Sequence, residues 1–194
     1  MNSAPSMAVT LNGQPTCLSQ LASTRLADAL RQEHGLLGIN QACDTAQCGA
    51  CTVLVDGAAV KSCNLLAGQV QGSHITTIES LAKDAELHPM QLAFSQHHGL
   101  QCGFCTSGMI LRAIAMFNEG VPAEPAAVRH ALAGNLCRCT GYAGIVDAIC
   151  AGLTAMRADV KTVDANKTEV QTVVQTEAQA EAQVEVQNNE LPSP

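Results

Sequence analysis

The sequence predicts an α+β protein: a small mixed domain of strands and one helix, followed by a compact four-helix domain. Three observations carry this. Two Asx-Gly pairs, Asn12-Gly13 and Asp56-Gly57, each lie between short runs of strand-like residues, the signature of tight β-hairpins. From about Asp84 onward, that patterning gives way to apolar residues at helical spacing. Two loops in this second half each carry a cysteine pair between helical stretches, an approximate two-fold repeat of helix, cysteine-pair loop and helix.

Taken in order, "MAVTLNGQPTCLSQL" reads as strand, turn, strand. "STRLADALRQEHG" follows as a helix, with Ser23 or Thr24 placed to cap it, Leu26, Ala29 and Leu30 at helical spacing, and Gly35 placed to end it. "CTVLVDGAAVKSC" is a second hairpin, and the β-branched "HITTIESL" supplies another strand. These elements make residues 1–80 one small α+β domain. Residues 81–158 form the helical domain, with helices over roughly 90–97, 106–119, 126–133 and 144–156 and all four loop thiols at one end of the bundle. Met90, Met109 and Met116 are read as helix-packing residues, and His97 and His98 as solvated loop or subunit-interface residues. Cys17 and Cys150 match no cysteine pattern and are read as buried structural thiols. Residues 159–194 are biased to Glu, Gln, Val, Thr and Ala. Side chains this small do not repay the entropy of ordering, so a disordered acidic tail is expected.

Composition narrows the function. The only aromatics are Phe94, Phe104, Phe117 and Tyr142, which suggests small cores, or cores organised around something other than side chains. The formal charge of −7 is mostly a property of the tail, where seven acids face Lys161 and Lys167. What precedes the tail carries no basic stripe, which excludes a nucleic-acid surface. No run approaches the roughly 18 apolar residues of a membrane span, and the N-terminus lacks the regions of a secretory signal. A reducing, cytoplasmic location is expected, with export on a signal-bearing partner still compatible. In that setting clustered cysteines mean metal or redox chemistry more often than disulfides.

Cys43, Cys48, Cys51 and Cys63 fall as C-x4-C-x2-C-x11-C, the plant-type spacing of a [2Fe–2S] site. A cluster held by four thiolates is anionic, so it needs backbone N–H donors and a loop able to wrap closely. Ala42, Ala46, Gly49 and Ala50 permit that approach, and Cys63 on the returning strand closes the site. Four unrelated core thiols would not explain the spacing together with the hairpin. The second set is Cys102, Cys105, Cys137 and Cys139, spaced C-x2-C-x31-C-x-C. "CGFC" alone is compatible with a redox dithiol, and four thiolates with tetrahedral zinc. Both pairs precede helices, whose N-terminal N–H groups stabilise an anion, and this favours an iron–sulfur cluster while leaving zinc and dithiol open. A disulfide between Cys137 and Cys139 is disfavoured, because side chains two apart in an extended loop face opposite ways.

Four stretches, "CDTAQCGACTVLVDG", "HPMQLAF", "QCGFCTSGM" and "GNLCRCTGY", occur in this order across about residues 7–157. Together they resemble the iron–sulfur subunit of the xanthine oxidase family of molybdenum hydroxylases. They are most similar to small subunits of the carbon monoxide dehydrogenase-like, three-subunit branch. The resemblance implies a β-grasp, ferredoxin-like domain holding one [2Fe–2S] cluster on Cys43, Cys48, Cys51 and Cys63. A four-helix domain then holds a second on Cys102, Cys105, Cys137 and Cys139. It further implies that the second cluster lies near molybdopterin in a large partner subunit, with the first passing electrons towards FAD in a medium subunit. Gln101 and Cys139 match positions that meet the pterin. Ala42 replaces a usual Gly, which crowds the first loop, and Ser107 replaces a common Pro, leaving Thr106 and Ser107 as candidate helix caps. Arg138 is read either as a partner or cluster-charge contact or as a solvated side chain.

The function expected is electron transfer within an oxidoreductase complex, with substrate oxidised in another chain. No activated nucleophile, general base or nucleotide loop stands out here. Two alternatives stay in view. One is the same role in a two-subunit enzyme without FAD that reduces a cytochrome. The other is a non-catalytic zinc or thiol module that organises a complex.

Overall fold

The computed structural model describes residues 6–160. Asn12 and Gly13 both take positive φ, 52° and 80°, the type I′ condition that matches the twist of paired strands. They join β1 (Met7–Leu11) to β2 (Gln14–Leu18) as an antiparallel hairpin, and Met7, Val9 and Leu11 alternate inward along β1. Asp56 and Gly57 repeat the turn, at 50° and 82°, between β3 (Thr52–Val55) and β4 (Ala58–Lys61). β5 (His74–Thr76) lies parallel to β1 and antiparallel to β3, which gives the sheet order β2-β1-β5-β3-β4. This strand is shorter than its β-branched run suggests, because Ile78–Ser80 winds into a 3-10 turn. Buried Thr77 ends it by donating its amide to Asn12 Oδ1 at 2.9 Å.

α1 (Leu26–His34) buries Leu26, Ala27, Ala29 and Leu30 against the sheet and ends, as expected, at Gly35 in the left-handed conformation. Its start differs from expectation. Neither Ser23 nor Thr24 caps it: Arg25 is the N-cap residue, and its side chain makes no capping hydrogen bond. The reason is tertiary. Arg25 is extended and bridges Leu66 in strand fashion, while the Leu26 amide donates to Leu65 O at 2.7 Å. The Arg25 guanidinium donates to Asp28 at 2.8 Å and Asp44 at 2.7 Å, which ties the helix start to the loop that follows α1.

The second half is helical, as expected: α2 (Pro89–Gln96), α3 (Thr106–Asn118), α4 (Pro125–Ala131) and α5 over residues 143–160. α2 and α4 open on proline, whose missing N–H costs nothing in the first turn. Most of α3 is buried, which suits a central helix. Met90, Met109 and Met116 are all in the core with Phe94, Ile145 and Ile149, and His97 and His98 are exposed.

Two apolar cores share one strand. Val53 points into the core beneath α1, and its neighbour Leu54 points into the helical core. β3 is thus covered on both faces, which explains why "TVLV" reads as a continuous apolar run. The described residues up to Met156 cohere as one compact unit. The expected acidic tail lies, from residue 161 on, outside the described residues. Among the described residues no helix is long and apolar enough to cross a membrane.

Candidate functional site

The first thiol set is built by the loop between α1 and β3. Asp44, Ala46 and Gly49 take positive φ of 53°, 57° and 71°. The coiled backbone aims the amides of Gln47 and Cys48 at Cys43 Sγ, at 3.4 and 3.3 Å. The Cys48 amide, then the Thr45 amide and hydroxyl and the Gln47 amide, draw the Cys43 thiol down to about 6. Cys51 is buried at the base of the loop. Cys63 is not on the returning strand as expected: it lies in the 3-10 turn Ser62–Asn64 just past β4. Ser62 holds that turn against Cys51, its hydroxyl donating to Cys51 O at 2.7 Å. Burial, then a hydrogen bond that the Cys63 thiol donates to Cys51 and the nearby charges of Cys51, Cys43 and Cys48, push the Cys63 thiol up to about 12. The fold thus brings these four thiols into mutual range.

The second set comes from two separate loops. Cys105 is the N-cap residue of α3, and Cys137 and Cys139 lie in the loop between α4 and α5. Cys139 Sγ sits 3.5 Å from Cys102 Sγ, and Cys105 is hydrogen-bonded to Cys137. The opposed directions expected of residues two apart are therefore used: Cys139 meets one cysteine of the "CGFC" pair and Cys137 the other. Burial, then Cys137, pushes the Cys105 thiol up to about 12. Burial also pushes Cys137 up, but the Thr140 hydroxyl at 3.2 Å and the Cys139 and Thr140 amides outweigh it, so its net shift is downward. Cys139 is raised by its bond to Cys102. Tyr142, at φ 71°, turns its hydroxyl back to accept the Cys137 amide at 2.9 Å.

The candidate caps of α3 do other work. Ser107 Oγ donates to Gly38 O at 2.6 Å, and Thr106 Oγ1 is buried with no hydrogen-bond partner among the described residues. A cavity of about 510 Å³ is lined by Cys102, Cys105, Cys137 and Cys139, and also by Ala42, Cys48 and Ala50 from the first loop. Phe104, Leu136, Arg138 and Tyr142 complete its wall. Cys102, Cys139 and Gln101 are exposed, and Phe104 and Leu136 are 46% and 54% exposed, so the open side of this site has an apolar rim. Cys17, expected to be buried, is exposed on β2, while Cys150 is half-buried against the helical core. Sequence reasoning passed over Asn135 and Tyr142. The available signal was weak, a polar residue two before Cys137 and an aromatic three after Cys139.

The donor set is sulfur only, and in the second site it gathers two by two, Cys102 with Cys139 and Cys105 with Cys137. In the first site, Cys51 and Cys63 form a further such pair. Among the described residues no three His, Cys, Asp or Glu groups converge on a point suited to a single metal ion. Paired thiols suit a binuclear group in which each metal takes two thiolates.

Residues 9–75 match the family model described as a 2Fe-2S iron-sulfur cluster binding domain, and residues 77–150 the one described as a [2Fe-2S] binding domain. The chain is 45% identical over 143 residues to the 6-hydroxypseudooxynicotine dehydrogenase complex subunit beta of Paenarthrobacter nicotinovorans, across 73% of this chain and 89% of that relative. It is 45% identical over 142 residues to the xanthine dehydrogenase iron-sulfur-binding subunit of Escherichia coli O157:H7, across 72% and 89%. The solved structure of quinoline 2-oxidoreductase from Pseudomonas putida 86 has a similar chain. It superposes with a TM-score of 0.77 at 42% identity, over 81% of this chain and 98% of that one.

Proposed function

Because the chain belongs to the small iron–sulfur subunits of the xanthine oxidase family of molybdenum hydroxylases, we propose that it relays electrons through two [2Fe–2S] clusters, from molybdopterin in a large partner subunit to FAD in a medium subunit. Cys43, Cys48, Cys51 and Cys63 hold the first cluster in residues 1–80. Cys102, Cys105, Cys137 and Cys139 hold the second in residues 81–158, with Gln101 and Cys139 turned to the molybdopterin. When bound, each cluster supplies one-electron chemistry, at a potential of about −400 mV for an unmodified plant-type site.

The residues of this chain set that chemistry. The Gln47 and Cys48 amides at Cys43 favour the thiolate that a metal requires. Cys105 at the start of α3 puts the second site on a helix N-terminus, which favours an anionic group. The exposed rim of Phe104 and Leu136 suits a partner surface that excludes water from Cys102 and Cys139. Substrate oxidation belongs to the large partner, and a reducing, cytoplasmic setting suits the free thiols.

The observation that carries this reading is the pairing of Cys102 with Cys139 and of Cys105 with Cys137 across two loops. The complex as purified is expected to be reddish brown, with about four iron and four sulfide per chain of this subunit and two distinguishable [2Fe–2S] EPR signals on reduction. Cys139→Ser is expected to lose or alter one signal and spare the other. Equal damage to both in a folded protein overturns the two-site assignment. A colourless, zinc-loaded complex overturns the electron-transfer role.

A further inference from the structure

Asn135 is a buried polar side chain, 5% exposed, placed where three cysteine-bearing segments meet. Its Nδ2 lies 3.1 Å from Gly49 O, 3.3 Å from Gly108 O and 3.3 Å from Thr52 Oγ1. Gly49 lies between Cys48 and Cys51, Gly108 three residues past Cys105, and Asn135 two before Cys137. One amide therefore joins both loops of the second site to the loop of the first. The next residue adds a backbone link, the Leu136 amide donating to Cys48 O at 2.8 Å.

The backbones here touch with no room to spare. A Cβ on Gly108 would lie 2.2 Å from Gly49 O, and one on Gly49 would lie 2.5 Å from Gly134 O. Gly49 is also at φ 71°, where a side chain is strained. Gly49 O has two other donors, the Thr52 amide at 3.1 Å and the Thr52 hydroxyl at 2.7 Å. The Asn135 bond is thus not needed to satisfy that carbonyl; it serves as a cross-link.

We infer that Asn135 is a positioning residue that fixes the spacing and relative orientation of the two iron–sulfur sites, an inference resting on the two-cluster reading above. Without the shared amide, the 134–139 loop keeps its thiols but gains freedom to shift against the 48–52 loop. Transfer between two one-electron centres depends steeply on their separation, so a side chain that touches neither centre controls the step between them.

The test uses the full complex, reduced until both clusters are paramagnetic. The magnetic interaction between the two spins falls with the cube of their distance and reads the spacing directly, independent of turnover. In Asn135→Ala, iron and sulfide are expected to stay at the wild-type level while the resolved interaction splitting shrinks or smears. Rapid-freeze reduction should show slower equilibration between the clusters. Asn135→Asp, which keeps the shape but turns a carboxylate oxygen on Gly49 O, is expected to do more. Thr52→Val removes the hydroxyl that shares the amide and leaves Asn135 in place; it should shift the splitting in the same sense, by less. This milder variant carries the test where Asn135→Ala accumulates poorly. An unchanged splitting with both clusters loaded overturns the inference. So does loss of one cluster with the other unaltered, since Asn135 would then support a single loop. Absence of two [2Fe–2S] signals in the wild-type complex is a different result and fails the two-cluster reading itself.

Discussion

The two thiol sites reach similar chemistry by opposite routes. The first is drawn from one short stretch, residues 43–63, and its ordering is local: left-handed turns at Asp44, Ala46 and Gly49 point the loop's own amides at Cys43. The second joins "CGFC" to "CRC" across 31 intervening residues, and nothing within either loop brings the two together. That convergence depends on α3 and α4 both packing into the helical core, with Arg112 Nε of α3 donating to Ala131 O of α4 at 2.9 Å. The first site buries Cys51, whereas the second leaves Cys102 and Cys139 exposed beside an apolar rim. A site built by its own loop can be enclosed. A site assembled at the end of a bundle stays open on one side, which suits the partner contact proposed for it.

The comparison breaks most visibly if the core of the helical half is damaged. Phe94 is 1% exposed and would lie 3.0 Å from a Cβ on Gly99, just before the "CGFC" loop. Phe94→Ala is expected to cost about 3–5 kcal/mol and to release the second site's iron first. Iron per chain should fall from about four to about two before the first site's spectrum changes, as followed by iron analysis during thermal unfolding. Simultaneous loss of both would show that the first site is no more local than the second.

Thiol reactivity in the metal-free chain sharpens the contrast further. Cys43, held near 6, is ionised at neutral pH, while Cys63 and Cys105, near 12, are not. The thiolate is the reactive form, so iodoacetamide should label Cys43 first. Between pH 7 and 9 the Cys43 rate should stay nearly flat, and the Cys63 and Cys105 rates should rise ~tenfold per pH unit. Mass spectrometry of the labelled peptides checks the order. Labelling of Cys63 ahead of Cys43 would contradict the role given to the Gln47 and Cys48 amides.

The smallest effect expected is that of Tyr142→Phe. It removes the acceptor of the Cys137 amide and should cost about 1 kcal/mol. The freed amide can turn towards the cluster, so a redox titration should show the second site's potential rising with the first unmoved. A shift of equal size in both potentials would mean that the two sites are not separately tuned.

Much of this was readable in the residues themselves. Both hairpin turns fell at their Asx-Gly pairs because only such residues accept two successive positive φ values cheaply. The four later helices followed from apolar residues at helical spacing. The misread helix caps share one physical origin. Ser23 and Thr24 are good caps in isolation, but Arg25 was already pairing with Leu66. Ser107 is a good cap too, yet its hydroxyl is taken by Gly38, from a segment 69 residues away. Cys17 suits a core by residue type, but β1 pairs with it only along one edge, and its side chain falls on the outer face of β2. At both caps a distant partner outweighed a local preference.

What the sequence determined by itself was the register of the thiols: two sets of four, the first at the plant-type spacing, on segments whose turn residues and periodicity dictate hairpins and helices. Those are properties of neighbours along a covalent chain, so they survive without knowledge of the fold. What only the tertiary structure decided was how the two sites stand together. β3 gives one face to each core, the backbones of Gly49 and Gly108 touch, and Asn135 bonds across the junction. Those contacts join residues 27 to 86 positions apart. They arise from burial and close packing, which act through space and leave no period in the sequence.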